Sequence, residues 1–157
     1  MKISVINLGA TQDQYLKEGI TLYEKRLKHY VPFEMTYLTA PRPSKNQSFQ
    51  VQKDQEGKIL LAALGKSDHA VLLDVEGKQY GSEAFSGYLQ QVMNRGIRHL
   101  AFVIGGPYGF SDEVYQAVPD RISLSSMTFS HQLVRLVFLE QLYRAFTIIR
   151  GEPYHHA

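Results

Sequence analysis

Short apolar runs alternate along this chain with stretches in which apolar residues recur every third or fourth position. The first pattern is read as strand and the second as amphipathic helix, because side chains alternate faces along a strand but return to one face about every 3.6 residues along a helix. Residues 3–8 form the first run, closed by Gly9, after which Leu16, Ile20, Tyr23, Leu27 and Tyr30 repeat at spacings of 4, 3, 4 and 3. Thr11 with Gln14 is expected to open that helix as a capping box, and Pro32 to mark its end. Further strands are expected at 33–38, 70–75, 100–104 and, briefly, 122–124. Helices are expected at 49–64, stopped by Gly65, and from a Ser82 cap to Gly96 with a stripe of Phe85, Tyr88, Leu89 and Val92. A short helix capped by Ser111 and a long one from about His131 to Ile149 complete the series. This rhythm predicts an α/β fold, a mostly parallel sheet with helices on both faces.

A chain of 157 residues is about one domain, so residues 1–157 are read as a single domain. Residues 40–48, dense in turn formers and positive charge, read as a mobile loop. The absence of cysteine excludes a disulfide framework, a zinc-thiolate site and a thiol nucleophile together. A net charge of +2 is too small to hold nucleic acid by overall field, so an acidic partner must meet a local patch. The first residues lack the features of a secretory signal, and the most apolar region, 133–149, is interrupted by Arg135, Glu140 and Arg144. A cytoplasmic protein is expected.

Ligands of open α/β sheets bind beyond the carboxyl ends of the strands. Three segments qualify here: 72–77, 104–110 and 123–130. Gly105, Gly106 and Gly109 suit the floor of a cofactor pocket, where backbone approaches a ligand, and suit a tight strand-to-helix turn equally well. Neither the G-x-G-x-x-G fingerprint nor a P-loop is present. Ser123, Ser125, Ser126, Thr128 and Ser130 crowd before the last helix, as a capping loop or as a source of backbone donors. Ser130 beside His131 is no hydrolase signal, since G-x-S-x-G is missing. The last helix is apolar nearly all round; Leu133, Leu136, Val137, Phe138, Leu142, Phe146 and Ile149 are too many for one sheet face and point to a second subunit. Glu140 and Arg144 share a line on that helix, as an ion pair or as a guanidinium at a pocket mouth. The tail Tyr154-His155-His156, taken by itself, reads as solvated.

Four ordered motifs carry a resemblance. They are Ile104-Gly105-Gly106-Pro107-Tyr108-Gly109, the run Leu124-Ser125-Ser126-Met127-Thr128-Phe129-Ser130-His131-Gln132, Leu139-Glu140-Gln141-Leu142-Tyr143-Arg144-Ala145, and Pro153-Tyr154-His155. Together they closely resemble the bacterial 23S ribosomal RNA pseudouridine N3 methyltransferases of the SPOUT class. The resemblance implies a C-terminal trefoil knot, a homodimer, and S-adenosylmethionine held by backbone groups of Leu73, Gly105, Leu124, Ser125, Ser126, Met127, Thr128 and Phe129. It implies His155, Tyr154 and Arg144 as the catalytic set, acting without metal across the dimer. The implied partner is 23S ribosomal RNA in the assembled ribosome, with neither DNA nor membrane. A non-catalytic RNA-binding or ribosome-assembly factor on the same scaffold is the alternative. Valine at Gly105 is expected to block the cofactor by intruding on its space.

Overall fold

The structure is a computed structural model and describes residues 1–156. Ala157 lies outside the described residues. Five strands, β1 (Lys2–Leu8), β2 (Phe33–Leu38), β3 (His69–Gln79), β4 (His99–Ile104) and β5 (Arg121–Ser123), form one sheet in the order β2-β1-β4-β3-β5. Every pairing is parallel. The helices are α1 (Gln14–Leu27), α2 (Phe49–Leu64), α3 (Ser82–Asn94), α4 (Asp112–Ala117) and α5 (Leu133–Ile149).

Both faces of the sheet are covered, which is why the central strands read as nearly continuous apolar runs. On one face Ile3, Val5, Val71, Leu100 and Phe102 pack against Ile20 and Leu27 of α1, Phe85, Leu89 and Val92 of α3, and Phe138, Leu142 and Phe146 of α5. On the other, Ile6, Leu8, Leu72, Ala101 and Val103 pack against Leu60 and Leu64 of α2 and Val114 of α4. The period-2 split of each strand therefore separates two cores. Among the described residues, no helix is long and apolar enough to cross a membrane.

Some local expectations fail for identifiable reasons. The capping box does not form: α1 starts one residue after Asp13, with no side-chain cap, because Thr11 accepts a hydrogen bond from the buried Arg135 at 3.0 Å instead. Ser82 does not cap α3 either; Gly81 holds the cap position, and the Ser82 hydroxyl donates to Gln141 on α5. Gly65 ends α2 in right-handed geometry, φ −58°, so its lack of a side chain is not what stops the helix.

The largest departure is β3, which runs past Val75 to Gln79. Leu73 and Lys78 both pair with Ile122 of β5, so residues 74–77 bulge out of the ladder and rejoin it. Gly77 permits this close return, because a Cβ there would stand 2.6 Å from the Ile122 backbone.

Candidate functional site at the strand ends and the C-terminal tail

Leu73, Ile104 and Ile122 stand in register on three adjacent strands, so the segments that follow them leave the sheet side by side. They enclose a cleft of about 680 Å³, a volume that suits a small-molecule site. Leu73, Gly105, Leu124, Ser125, Met127, Thr128 and Phe129 line it, together with Asp74, Tyr108, Tyr115 and His131. Ser126 shares the loop but is not among the lining residues.

Side chains hold these loops from behind. Tyr115 of α4 donates to Asp74 Oδ2, while Asp74 Oδ1 accepts from the Glu76 amide at 2.9 Å, fixing the bulge of β3 against α4. Burial and then the Asp74 carboxylate push the Tyr115 phenol up to about 12, so it remains a donor. Ser123 donates to the Ser125 carbonyl at 3.0 Å, and Ser125 Oγ accepts the Met127 amide at 2.9 Å. Ser130 Oγ accepts from Leu133 at the start of α5. The hydroxyl-rich run thus caps itself and the helix, and lines the cleft as well. Gln132 ties it to the loop after β1, donating to Ala10 O and accepting from the Gln12 amide, each at 3.1 Å.

A Cβ at Gly105 would meet the Phe110 ring at 3.0 Å, and Phe110 is buried in the second core. Phe110 lines the cleft as well, so a side chain at Gly105 presses on a cleft-lining ring in addition to any space it takes from a ligand.

The tail is only partly solvated: Tyr154 and His155 are half-buried, whereas residues 151–153 and His156 are exposed. Gly151, at φ +67°, closes a Schellman motif on α5, with its own amide bonded to Ile148 O at 3.0 Å and the Glu152 amide bonded to Thr147 O at 2.9 Å. The chain then folds back over α5. Tyr154 OH donates to Glu140 Oε1 at 3.1 Å, its ring packs edge-on to Tyr143 at 4.8 Å, and the Arg144 guanidinium lies 4.7 Å from its centroid. Arg144 also donates through Nε to Glu140 at 3.1 Å and through Nη1 to His155 Nδ1 at 3.3 Å. Of the two readings of the Glu140–Arg144 pair the structure shows the ion pair, which carries the tail with it; Arg144 is not among the residues that line the cleft. The Glu140 carboxylate raises the Arg144 guanidinium further above its ordinary value. Burial, the Tyr23 hydroxyl and the Glu140 charge all push the Tyr154 phenol up, so it stays neutral and donating at ordinary pH.

Arg144 lies ten residues beyond Val134, which lines the cleft. At ~1.5 Å per residue that is about 15 Å along α5, so a single chain does not bring its tail cluster into its own cleft.

A family model described as "Predicted SPOUT methyltransferase" matches residues 1–155. The chain belongs to the SPOUT methyltransferase family. It is 51% identical over 156 residues to "Ribosomal RNA large subunit methyltransferase H" of Christiangramia forsetii, covering 99% of each chain. The protein of that description from Cytophaga hutchinsonii is 52% identical over 157 residues, covering 99% of this chain and 100% of the other. Two solved structures share the fold at low identity. "The structure of a probable methylase family protein from Haemophilus influenzae Rd KW20" has a TM-score of 0.53 at 11% identity, covering 95% of this chain and 66% of that one. "Crystal structure of putative methylase family protein from Neisseria gonorrhoeae" has a TM-score of 0.50 at 15% identity, covering 99% of this chain and 85% of that one.

In this SPOUT methyltransferase, sequence reasoning missed Tyr115, Lys53 and Glu56. Tyr115 and Lys53 line the cleft. Glu56 is buried behind it, and a Cβ at Gly106 would lie 3.1 Å from its Oε2. The Glu56 and Tyr115 signals are faint, a carboxylate on the packed stripe of α2 and a tyrosine one turn after the Ser111 cap.

Proposed function

We propose that residues 1–157 act as a single-domain, S-adenosylmethionine-dependent methyltransferase for N3 of a pseudouridine in 23S ribosomal RNA, working in the cytoplasm as a homodimer on assembled ribosomes. One observation carries the reading: three strand-end loops, read separately from the sequence, converge on one cleft of about 680 Å³. The fit to the methyl donor rests on the character of that cleft. Its floor is the Gly105-Gly106 backbone, and its wall is the hydroxyl-rich run, in which the Ser123 and Ser125 hydroxyls are already engaged within the loop. When bound, S-adenosylmethionine supplies an electrophilic methyl group on a sulfonium. Leu73, Gly105, Leu124, Ser125, Met127, Thr128 and Phe129 would hold it, with Ser126 placed in the same loop.

A C-terminal trefoil knot belongs to this reading. Supporting it, the run after β5 is tied back to the loop after β1 through Gln132, and α5 returns to pack between α1 and α3. Leu133, Leu136, Val137 and Ile149 are only half covered in one chain, which supports a partner on α5. That partner's tail would supply what the 15 Å separation along one helix leaves out.

The tail network suggests how the residues divide the work. A guanidinium can only donate, so His155 Nδ1 accepts from Arg144, and Nε2 carries the proton in the neutral ring. His155 Nε2, which lies 3.9 Å from the Glu83 carboxylate, is thereby set as a donor that can turn to a carbonyl of the acceptor base, with Tyr154 packing beside it. Arg144 places positive charge where the base becomes anionic as its N3 proton leaves. This assigns His155 to positioning ahead of proton abstraction.

Calorimetric titration with S-adenosylmethionine, followed by transfer of labelled methyl to ribosomes and mass mapping of the product, tests the proposal. One methyl at N3 of a pseudouridine in the large-subunit RNA is expected. Ribosome binding with no cofactor binding would favour the non-catalytic assembly factor.

A further inference from the structure

N3 of a uracil-type base lies on its Watson–Crick edge, so it is reached only when the base is unpaired, and an enzyme acting there meets nucleotides that are locally unpaired too. Beside the cleft stands a feature suited to one of them. Phe49, the first residue of α2, and Tyr108, in the glycine loop, stack with ring centroids 4.4 Å apart and planes at 21°. Tyr108 lines the cleft, and Phe49 lies one ring farther out. Rings paired only to pack would be covered, yet Phe49 is 66% and Tyr108 44% exposed.

Cations lie on the α2 side of the step, whereas the cleft that Tyr108 lines also carries Asp74, Glu76 and Asp112. Gln52 donates to Pro41 O at 3.0 Å and Gln47 to Gln55 at 2.9 Å, so the loop bearing the exposed Arg42 and Lys45 is pinned along the first turns of α2. Lys53 stands one turn beyond Phe49 on the cleft wall. Among the described residues, none of these three cations has an acidic partner within ion-pair distance. The neighbouring Asp54 accepts a hydrogen bond from Gln50. An open aromatic face flanked by free cations complements a base with its phosphates, whereas a protein partner has no need of this charge.

We propose that the Phe49–Tyr108 step receives an unpaired nucleotide of the RNA substrate beside the target base, stacked on the open face of Phe49, with its phosphates on Arg42, Lys45 and Lys53. This rests on the reading of the chain as a ribosomal RNA methyltransferase. Phe49 does not line the cleft, so its substitution separates RNA recognition from cofactor binding.

In steady-state methylation, Phe49→Ala is expected to raise KM for ribosomes by about 10-fold or more, in line with the loss of one base-stacking contact, while kcat and KM for S-adenosylmethionine stay unchanged. Phe49→Trp should retain the wild-type KM and Phe49→Leu should not, since leucine keeps apolar bulk but has no π face. The chain contains no tryptophan, so the indole introduced by Phe49→Trp is a lone reporter. Its emission should be quenched by single-stranded RNA at low salt and not by an RNA duplex. Arg42→Gln with Lys45→Gln should lower the slope of log affinity against log salt by about 1 to 2. A Phe49→Ala KM within twofold of wild type, or Phe49→Leu equal to Phe49→Trp, overturns the proposal. If wild type binds cofactor but methylates no ribosome, the methyltransferase reading fails instead. Co-sedimentation with ribosomes then decides the platform alone, and Phe49→Ala sedimenting like wild type removes it.

Discussion

The strand-end cleft and the C-terminal tail cluster are built by opposite means. The cleft is made largely of backbone: three consecutive-residue loops follow neighbouring strands, and the Ser123, Ser125 and Ser130 hydroxyls and the Asp74 carboxylate bond within the loops or to the elements behind them. The tail cluster is made of side chains from separate segments, Tyr23 on α1, Glu140 and Arg144 on α5, and Tyr154 and His155 beyond Gly151. A backbone site tolerates many side-chain changes and fails when a loop moves. A side-chain network fails when one member is removed, because its partners are left without their bonds.

The sharpest way to break this contrast is removal of residues 153–157. Methylation of ribosomes should be abolished, while S-adenosylmethionine affinity, measured by calorimetry, changes by no more than roughly twofold, as for sites that share no partners. A large loss of cofactor affinity would show that the two regions are one site. Within the tail, His155→Ala should cost less than the ~10²-fold or more expected for a general base, with no titration lost from the pH–rate profile. Disappearance of the acidic limb, where rate falls as pH drops, in that variant would reassign His155 to proton abstraction.

A smaller effect is expected at the cleft. Gly105→Ala forces Phe110 to give way and should weaken cofactor binding about tenfold, equivalent to ~1.4 kcal/mol, in a protein whose circular dichroism is unchanged. Wild-type affinity would mean that the wall behind the glycine loop does not shape the site.

The smallest effect concerns His131 at the cleft rim. Burial, and then the Arg135 charge, hold its imidazole below the ordinary 6.5, with Glu56 opposing them. A depressed folded-state pKa means that the contribution to stability is present above about 6.5 and is lost as pH falls through the folded value. The urea midpoint should therefore decline on acidification below pH ~6.5, and His131→Gln should flatten that decline. An unaltered acid slope would show that the histidine is not the group responsible.

Legibility follows the same division as construction. Apolar periodicity located five strands and five helices because burial on both sheet faces demands it, and residues 33–38 and 49–64 match β2 and α2 end to end. It failed at Thr11 and Ser82, whose hydroxyls were claimed by Arg135 and Gln141, partners 124 and 59 residues away. Periodicity also stopped β3 at Val75, since nothing in residues 74–77 announces that the strand bulges and rejoins at Lys78. The tail read as solvated because no spacing rule links Tyr154 to Tyr23, and only the resemblance pointed to it.

What the sequence determined by itself is the layered α/β architecture and the three segments that end on one edge of the sheet, since both follow from local patterns of apolar residues and turn formers. The tertiary structure decided the rest: the register that sets Leu73, Ile104 and Ile122 abreast, the Tyr115–Asp74 brace, and the fold of the tail onto Glu140 and Arg144. Those depend on pairings between residues far apart in the chain, and such contacts exist only once the sheet and its helices have packed.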